Sequence, residues 1–305
     1  MVDVEQLKEF VQNNPKLVKK RDIGSGLWIL KYTNHVFYKG LWNEFLEECR
    51  GTVVDEDFNV VTRPFTKIYN YGIDKESPVF DNDTIVDARR KVNGFLVNVS
   101  MYDLELLVTT SGSNSGPHVD AAYSYIRSIK AKLESLLERS PMMDHTLMFE
   151  CVHPDDPHII DEDYGLYLLG ARKNEWNSSV IHDQYALGMI AYYLGVNHPE
   201  SYDNVKLSTL KEWNYEADHE GFVFYTKDGQ SAKMKSPYYL TTKFLARMGN
   251  TNKLLNDNIK NCIDEEYYPL IDWVKANFSM FEALDEQDRI AKINQFLRGD
   301  AECTL

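Results

Sequence analysis

Apolar residues open the chain at helical spacing. Val4, Leu7, Phe10, Val11 and Leu17 predict one amphipathic helix over residues 3–20. The pattern then turns to short apolar runs with turn residues between them: LWILKYT (27–33), GTVVD (51–55), NVVTRPF (59–65), TIVDARRKV (84–92), GFLVNVSMY (94–102) and LELLVTT (104–110). Runs this short and this rich in β-branched residues read as strands. GSNSGP (112–117) reads as a flexible loop rather than a phosphate cradle. It leads into a helix over 118–139, where Ala121, Tyr125, Ile129 and Leu133 recur at four-residue steps. Further strands are expected at 145–152 and 165–173, helices at 182–195 and 205–214, and two strands at 220–226 and 230–236 around Lys227-Asp228-Gly229. From residue 240 onward the spacing is helical. The expectation is an α+β fold: an antiparallel-sheet domain over 1–243 and a small helical appendage over 244–305.

The last strand pair carries charge in an unusual place. Asp228-Gly229 between two apolar runs predicts a two-residue hairpin turn. That turn sets Lys227 against Gln230, Phe224 against Lys233, Phe222 against Lys235 and Glu220 against Pro237. Facing residues point to the same side of a sheet. Glu220, Lys233 and Lys235 are therefore expected on one face beside Phe222 and Phe224, with Val223, Tyr225, Ala232 and Met234 on the other. Both faces then resemble core, so an exposed salt-bridged hairpin explains the charges poorly. A pocket where cations meet phosphate and a carboxylate meets a metal explains them better. Upstream, Lys91-Val92-Asn93-Gly94 joins two strand-like runs, and its glycine lets backbone approach a ligand closely.

Composition narrows the choices. The 305 residues suit one large domain or two modest ones, and 43% hydrophobic residues supply an ample core. A net charge of −14 argues against coating nucleic acid by bulk charge, while leaving room for a local basic groove. Cys49, Cys151, Cys262 and Cys303 show no CxxC pairing and read as free thiols of a reducing cytosol. The amphipathic start does not read as a signal peptide, and no run approaches the roughly 20 apolar residues of a membrane span. CVHPDDPHII (151–160) lacks a structural-zinc spacing, and Pro154 and Pro157 mark it as a loop. Lys243 and Arg247 read as solvated charges on a helix, with RNA phosphate as the alternative partner.

The order of the charged motifs is more specific than any one of them. Lys91-x-x-Gly94, Phe149-Glu150, Glu220-Gly221 and Lys233-x-Lys235 resemble the successive motifs of the covalent nucleotidyltransferases, the ATP-dependent ligases and mRNA capping enzymes. Glu48-Cys49-Arg50-Gly51, the segment from Thr62 through Lys67 and Tyr69 to Asn70, and Lys233-Met234-Lys235-Ser236 before Tyr238-Tyr239 resemble the phage-type RNA ligases that repair single-strand breaks in tRNA. The resemblance covers residues 30–245 and implies an ATP-grasp-like ligase domain.

It also implies a division of labour. Lys91 takes up AMP from ATP, and Lys233 and Lys235 neutralise the α-phosphate. Glu220 is the carboxylate for Mg²⁺ or Mn²⁺, and Glu150 serves the ribose or a metal. Arg50 and Lys67 contact phosphate or nucleotide, Tyr69 packs against the nucleotide, and Gly94 and Gly221 complete the binding set. The partner is RNA with 5′-phosphate and 3′-hydroxyl ends, and the implied enzyme is a cytoplasmic monomer, with a virus-encoded enzyme acting in the host cytoplasm as the narrower alternative. Only a neutral amine attacks phosphorus, and at pH 7 about four in ten thousand ordinary lysines are neutral. Arg89, Arg90, Lys233, Lys235 and a metal are therefore expected to depress the Lys91 pKa. Arg89, in an extended run, points to the same side as Lys91.

Three positions depart from the branch: Asn93 stands where Asp is common, Phe95 where a small polar residue is, and Ser111 where a lysine is. They bear on rate and substrate preference. DNA nick sealing and GTP-dependent capping are the nearest alternatives, although those enzymes usually carry a C-terminal OB-fold. A nucleic-acid-end binding module without catalysis is the third.

Overall fold

A computed structural model describes residues 2–139 and 141–298. Its first four strands are β1 (Val18–Gly24), β2 (Leu27–Tyr32), β3 (Arg50–Val54) and β4 (Val60–Thr62), which pair in that order. Then come β5 (Tyr69–Asn70), β6 (Ile85–Arg90), β7 (Phe95–Tyr102), β8 (Glu105–Thr110), β9 (His145–Val152), β10 (Gly165–Lys173), β11 (Val180–Ile181), β12 (Ser201–Lys206), β13 (Gly221–Thr226) and β14 (Ser231–Lys235). They form two further sheets, ordered β11-β10-β9-β7-β8 and β12-β6-β13-β14-β5. All pairings are antiparallel except β14 with β5.

The expected α+β architecture is present. Two elements differ from the sequence reading. The opening helix stops at Asn13, and residues 18–24 form β1, whose exposed Lys19, Lys20, Arg21 and Asp22 offer no apolar alternation. Likewise the helix expected from 205 begins at Leu207, after the edge strand β12. Charged edge strands of this kind resist pairing with other chains.

The hairpin register also differs. Thr226 N–H donates to the Gln230 carbonyl and Gly229 N–H to the Thr226 carbonyl, so the loop has three residues, with Gly229 at φ +83°. That is a turn followed by a bulge at glycine. One extra loop residue shifts the pairing by one and flips a strand's faces. Val223 now faces Lys233, Phe222 faces Met234 and Phe224 faces Ala232. The lysines therefore share their face with Val223, while Phe222 and Phe224 lie on the opposite face in a core with Val86, Ala88, Leu207 and Leu210.

The middle sheet packs its Val97, Val99, Leu147, Phe149 and Leu168 against the helices Pro117–Leu137 and Gln184–Leu194. Its other face looks toward the β6–β13–β14 sheet. The helical region beyond β14 has its own core, in which Tyr239, Leu245, Leu270 and Ile293 pack with Ile159 and Ile160. The helix Pro237–Ala246 runs across position 243 and belongs to that core. Cys49 and Cys151 are free and buried; Cys303 and the Cys262 side chain lie outside the described part. No helix among the described residues is long and apolar enough to cross a membrane.

One buried ion pair locks the first sheet to the second. The fully buried Arg63 meets Glu48 through Nη2–Oε1 at 2.7 Å and Nε–Oε2 at 3.3 Å, and also donates to the Glu175 carbonyl and Ser178 Oγ. Arg172 stands on the same carboxylate at 3.9 Å. Glu48→Ala strands two buried guanidiniums without an anion. We expect it to lower unfolding free energy by about 3–5 kcal/mol, read as a drop in the urea midpoint.

Candidate active site

The segment Lys91–Gly94 is the crossing from one sheet to another. β6 ends at Arg90, and β7 begins at Phe95 in the neighbouring sheet. Lys91 N–H donates to the Gly221 carbonyl at 2.8 Å, which anchors the crossing to the start of β13. Gly94 lies so close to β9 that a Cβ there would stand 2.3 Å from the Cys151 carbonyl oxygen. Its N–H donates to Glu150 at 3.1 Å. Glu220 precedes β13, and Gly221, at φ +123°, turns the chain so that this carboxylate enters the junction instead of following Phe222 into the core.

There Glu220 collects three donors. Lys91 Nζ reaches Oε2 at 2.8 Å, Asn93 Nδ2 reaches the same oxygen at 2.9 Å, and Lys235 Nζ reaches Oε1 at 3.2 Å. Asn93 also accepts from Ile160 N–H at 3.0 Å. Where the sequence marks Asn93 as a departure, geometry assigns it a task. It is a neutral donor to Glu220, where an aspartate would set a second negative charge.

Beside this junction a cavity of about 260 Å³ opens between the sheets. Arg50, Phe65, Lys91, Leu96, Glu150 and Lys233 line it, with Arg89, Val223 and Tyr225 completing the wall. Arg89 pairs with Val223 and Lys233 pairs with Val223, so the three share the cavity-facing side, as alternation requires. Arg89 donates to the Leu169 and His182 carbonyls, yet its Nε has no partner. Arg90 also borders the cavity and pairs with Glu162 at 2.8 Å. Residues such as Tyr225 and Leu96 were not singled out from sequence; alternation along β13 and β7, with the right register, is the signal that finds them.

Two residues expected at the nucleotide are engaged by other side chains in this structure. Tyr69 donates its hydroxyl to Glu47 at 2.6 Å and sets its ring edge against Trp42. Lys67 lies over both rings and pairs with Asp74 at 3.6 Å. Neither lines the cavity; they form a buttress behind Arg50. Tyr239 is buried in the helical core, and Arg247 is held by Glu286 at 2.7 Å.

Charge is distributed differently from the sequence expectation. Burial pulls the Lys91 amine down, but Glu220 and Glu150 outweigh it and hold the pKa above the ordinary lysine value. The expected depression falls on Lys233 instead. Its pKa is pushed down to about 7 by burial and by Arg50, Lys91, Lys67 and Lys235. Burial lifts Glu150 to about 7 against the pull of Lys91, with Glu220 adding to the rise. Burial also acts to raise Glu220, but Lys91 and Lys235 hold it below the usual carboxylate range. Among the described residues the cations have sorted into a set neutralised by carboxylate, Lys91 and Lys235, and a set without one, Arg50 and Lys233, that faces the cavity ready for an anion.

A likeness to known proteins agrees with this geometry. A putative ATP-dependent DNA ligase from Aquifex aeolicus superposes with a TM-score of 0.54 at 17% identity, over 97% of this chain and 80% of that one. An archaeal ATP-dependent RNA ligase superposes with a TM-score of 0.54 at 16% identity, over 96% and 76%. At such identity the two show a shared ligase-type fold. The family model for RNA ligases matches residues 48–245, a span that contains Arg50, Lys91, Glu150, Glu220, Lys233 and Lys235. This chain therefore belongs to the RNA ligase family.

Proposed function

We propose that the protein joins RNA 5′-phosphate and 3′-hydroxyl ends with ATP, by way of AMP bound to Lys91 and then to the RNA end. The observation that carries this reading is the convergence of Lys91, Glu220 and Lys235 at the edge of a cavity walled by Arg50 and Lys233. In the first step the Lys91 nitrogen attacks the α-phosphorus of ATP. A P–N bond forms, the bond to pyrophosphate breaks, and the amine gives up a proton. Arg50 and Lys233 face the developing phosphoryl charge. In the second step a 5′-phosphate oxygen of RNA attacks the same phosphorus, the P–N bond breaks and Lys91 regains a proton. In the third a 3′-hydroxyl oxygen attacks the 5′-phosphorus, loses its proton, and AMP departs. Residues 1–243 supply every group named, and we assign 244–305 the role of a helical appendage, whose described residues 244–298 pack against Ile159 and Ile160.

The carboxylates suit Mg²⁺ or Mn²⁺. Glu150 and Glu220 are hard oxygen donors that both act on Lys91, and such ions are commonly held by one or two carboxylates plus substrate phosphates. An ion held there would counter phosphate charge and draw off the carboxylate that keeps Lys91 protonated. The remaining work belongs to the side chains. Asn93 orients Glu220, and Gly94 N–H orients Glu150.

The test is direct. The protein incubated with ATP labelled at the α-phosphate and Mg²⁺ should acquire covalent label that survives denaturation and alkali and is released by acid, as a P–N bond requires, and GTP should fail. Added 5′-phosphorylated RNA should then remove the label as adenylylated RNA. Preference for GTP indicates capping chemistry, transfer only to nicked DNA indicates a DNA ligase, and no label ends the reading. Glu220→Gln should lower the labelling rate by about a hundredfold and shift its Mg²⁺ dependence to higher concentration. An unchanged Mg²⁺ curve removes Glu220 from the metal set.

A further inference from the structure

The hairpin β1–β2 presents a cationic face that the chemistry above does not use. Lys19 stands opposite Lys31, and Lys31 opposite Arg50, so three basic residues form a row across three neighbouring strands. Arg21, two residues along β1, lies on the side of Lys19. None of the four makes an ion pair among the described residues, in a chain of net charge −14. Like charges set opposite each other in a ladder destabilise it. A row of them without counter-charge is accounted for when an anion lies along it.

The loop 111–115 completes the surface. The sequence suggests a flexible connection there, yet it is pinned to the hairpin. Arg21 donates to the Gly112 carbonyl at 3.2 Å, and Asn114 donates to the Ile23 carbonyl at 3.0 Å. The Lys31 amine rests 2.8 Å from where a Cβ on Gly112 would sit, and any side chain there would push it aside. The row leads to the reaction cleft. Arg50 is its inner end and a cavity wall, and the loop follows Thr110, which pairs with Val97 beside the cavity-lining Leu96.

We propose that this face binds the phosphodiester backbone of the single-stranded RNA substrate, with Lys19, Arg21 and Lys31 each facing phosphate and guiding the strand toward the Lys91 cleft. The proposal rests on the RNA ligase reading above. Lys20 supplies an internal control. It points to the opposite side of β1, over Trp28 at 4.2 Å and Phe58 at 5.3 Å.

The experiment compares wild type, Lys19→Ala/Arg21→Ala, Lys31→Met and Lys20→Ala in two assays. The first is covalent labelling with ATP, which needs no RNA. The second is binding of a 5′-phosphorylated single-stranded oligoribonucleotide over a salt series. Labelling should be the same in all four. RNA affinity should fall about tenfold in the double variant and severalfold in Lys31→Met. The log–log salt slope should shrink by about 0.7 for each phosphate that a variant no longer neutralises. Lys20→Ala should bind as wild type. Unchanged affinity and slope in the double variant, or an equal loss in Lys20→Ala, overturns the proposal. Absence of labelling in the wild type instead overturns the functional reading, so the two failures are distinct.

Discussion

Lys91→Ala should take up no AMP from ATP while keeping its fold, and Lys91→Arg should fail equally. The alanine variant removes the amine proposed as nucleophile and leaves Lys235 on the other oxygen of Glu220 and Lys233 on the neighbouring strand. Glu220 keeps Lys235 and Asn93 as partners after the loss, so the buried carboxylate is not abandoned and far-UV circular dichroism should be unchanged. Arginine preserves positive charge and the ion pair, but guanidinium stays protonated and offers no lone pair. The pair of variants separates a role in charge from a role as nucleophile. Retained labelling in either one places the covalent bond on another residue, and Lys233, with its pKa pushed down to about 7, is then the first to examine.

Gly221→Ala should be the most damaging single methyl in the cleft. The residue sits at φ +123°, where L side chains are strained, and its Cβ would stand 2.1 Å from the Met234 carbonyl oxygen and 2.9 Å from Lys235 Cα. Both obstacles are backbone of the adjoining strand and cannot swing aside. Strain and overpacking together come to about 3 kcal/mol or more. The relief the structure can find is to open the start of β13 from β14, which moves Glu220 off Lys91. We therefore expect a lowered thermal midpoint together with lost labelling at temperatures where the variant is still folded. Gly229→Ala, at the hairpin tip with open space around it, meets no such backbone and should label normally. Equal behaviour of the two variants would mean that Gly221 serves only local conformation.

Some of this protein was legible from residue order. The strands 145–152 and 165–173 lie where the apolar runs placed them, because strands buried on a packed face must be largely apolar whatever their partners. The edge strands β1 and β12 were not legible. Their residues are mostly polar and half-exposed, and only the open hydrogen bonds of β2 and β6 make them strands. The same holds for the hairpin. Asp228-Gly229 announced a turn, but whether two or three residues close it depends on which faces of β13 and β14 meet the core, and Phe222 and Phe224 settled that by packing on Leu207 and Leu210.

In the cleft the division follows the same line. Sequence alone named the candidate residues, since covalent transfer of AMP needs an amine, carboxylates and unpaired cations, and their order along the chain is distinctive. Tertiary structure alone decided how they are used. It gave Lys91 a carboxylate partner that holds its proton, left Lys233 to bear the cost of burial without one, and moved Lys67 and Tyr69 behind the wall. The reason is physical: a side chain's identity is local, but its charge state depends on distances between segments that only the packed sheets bring together.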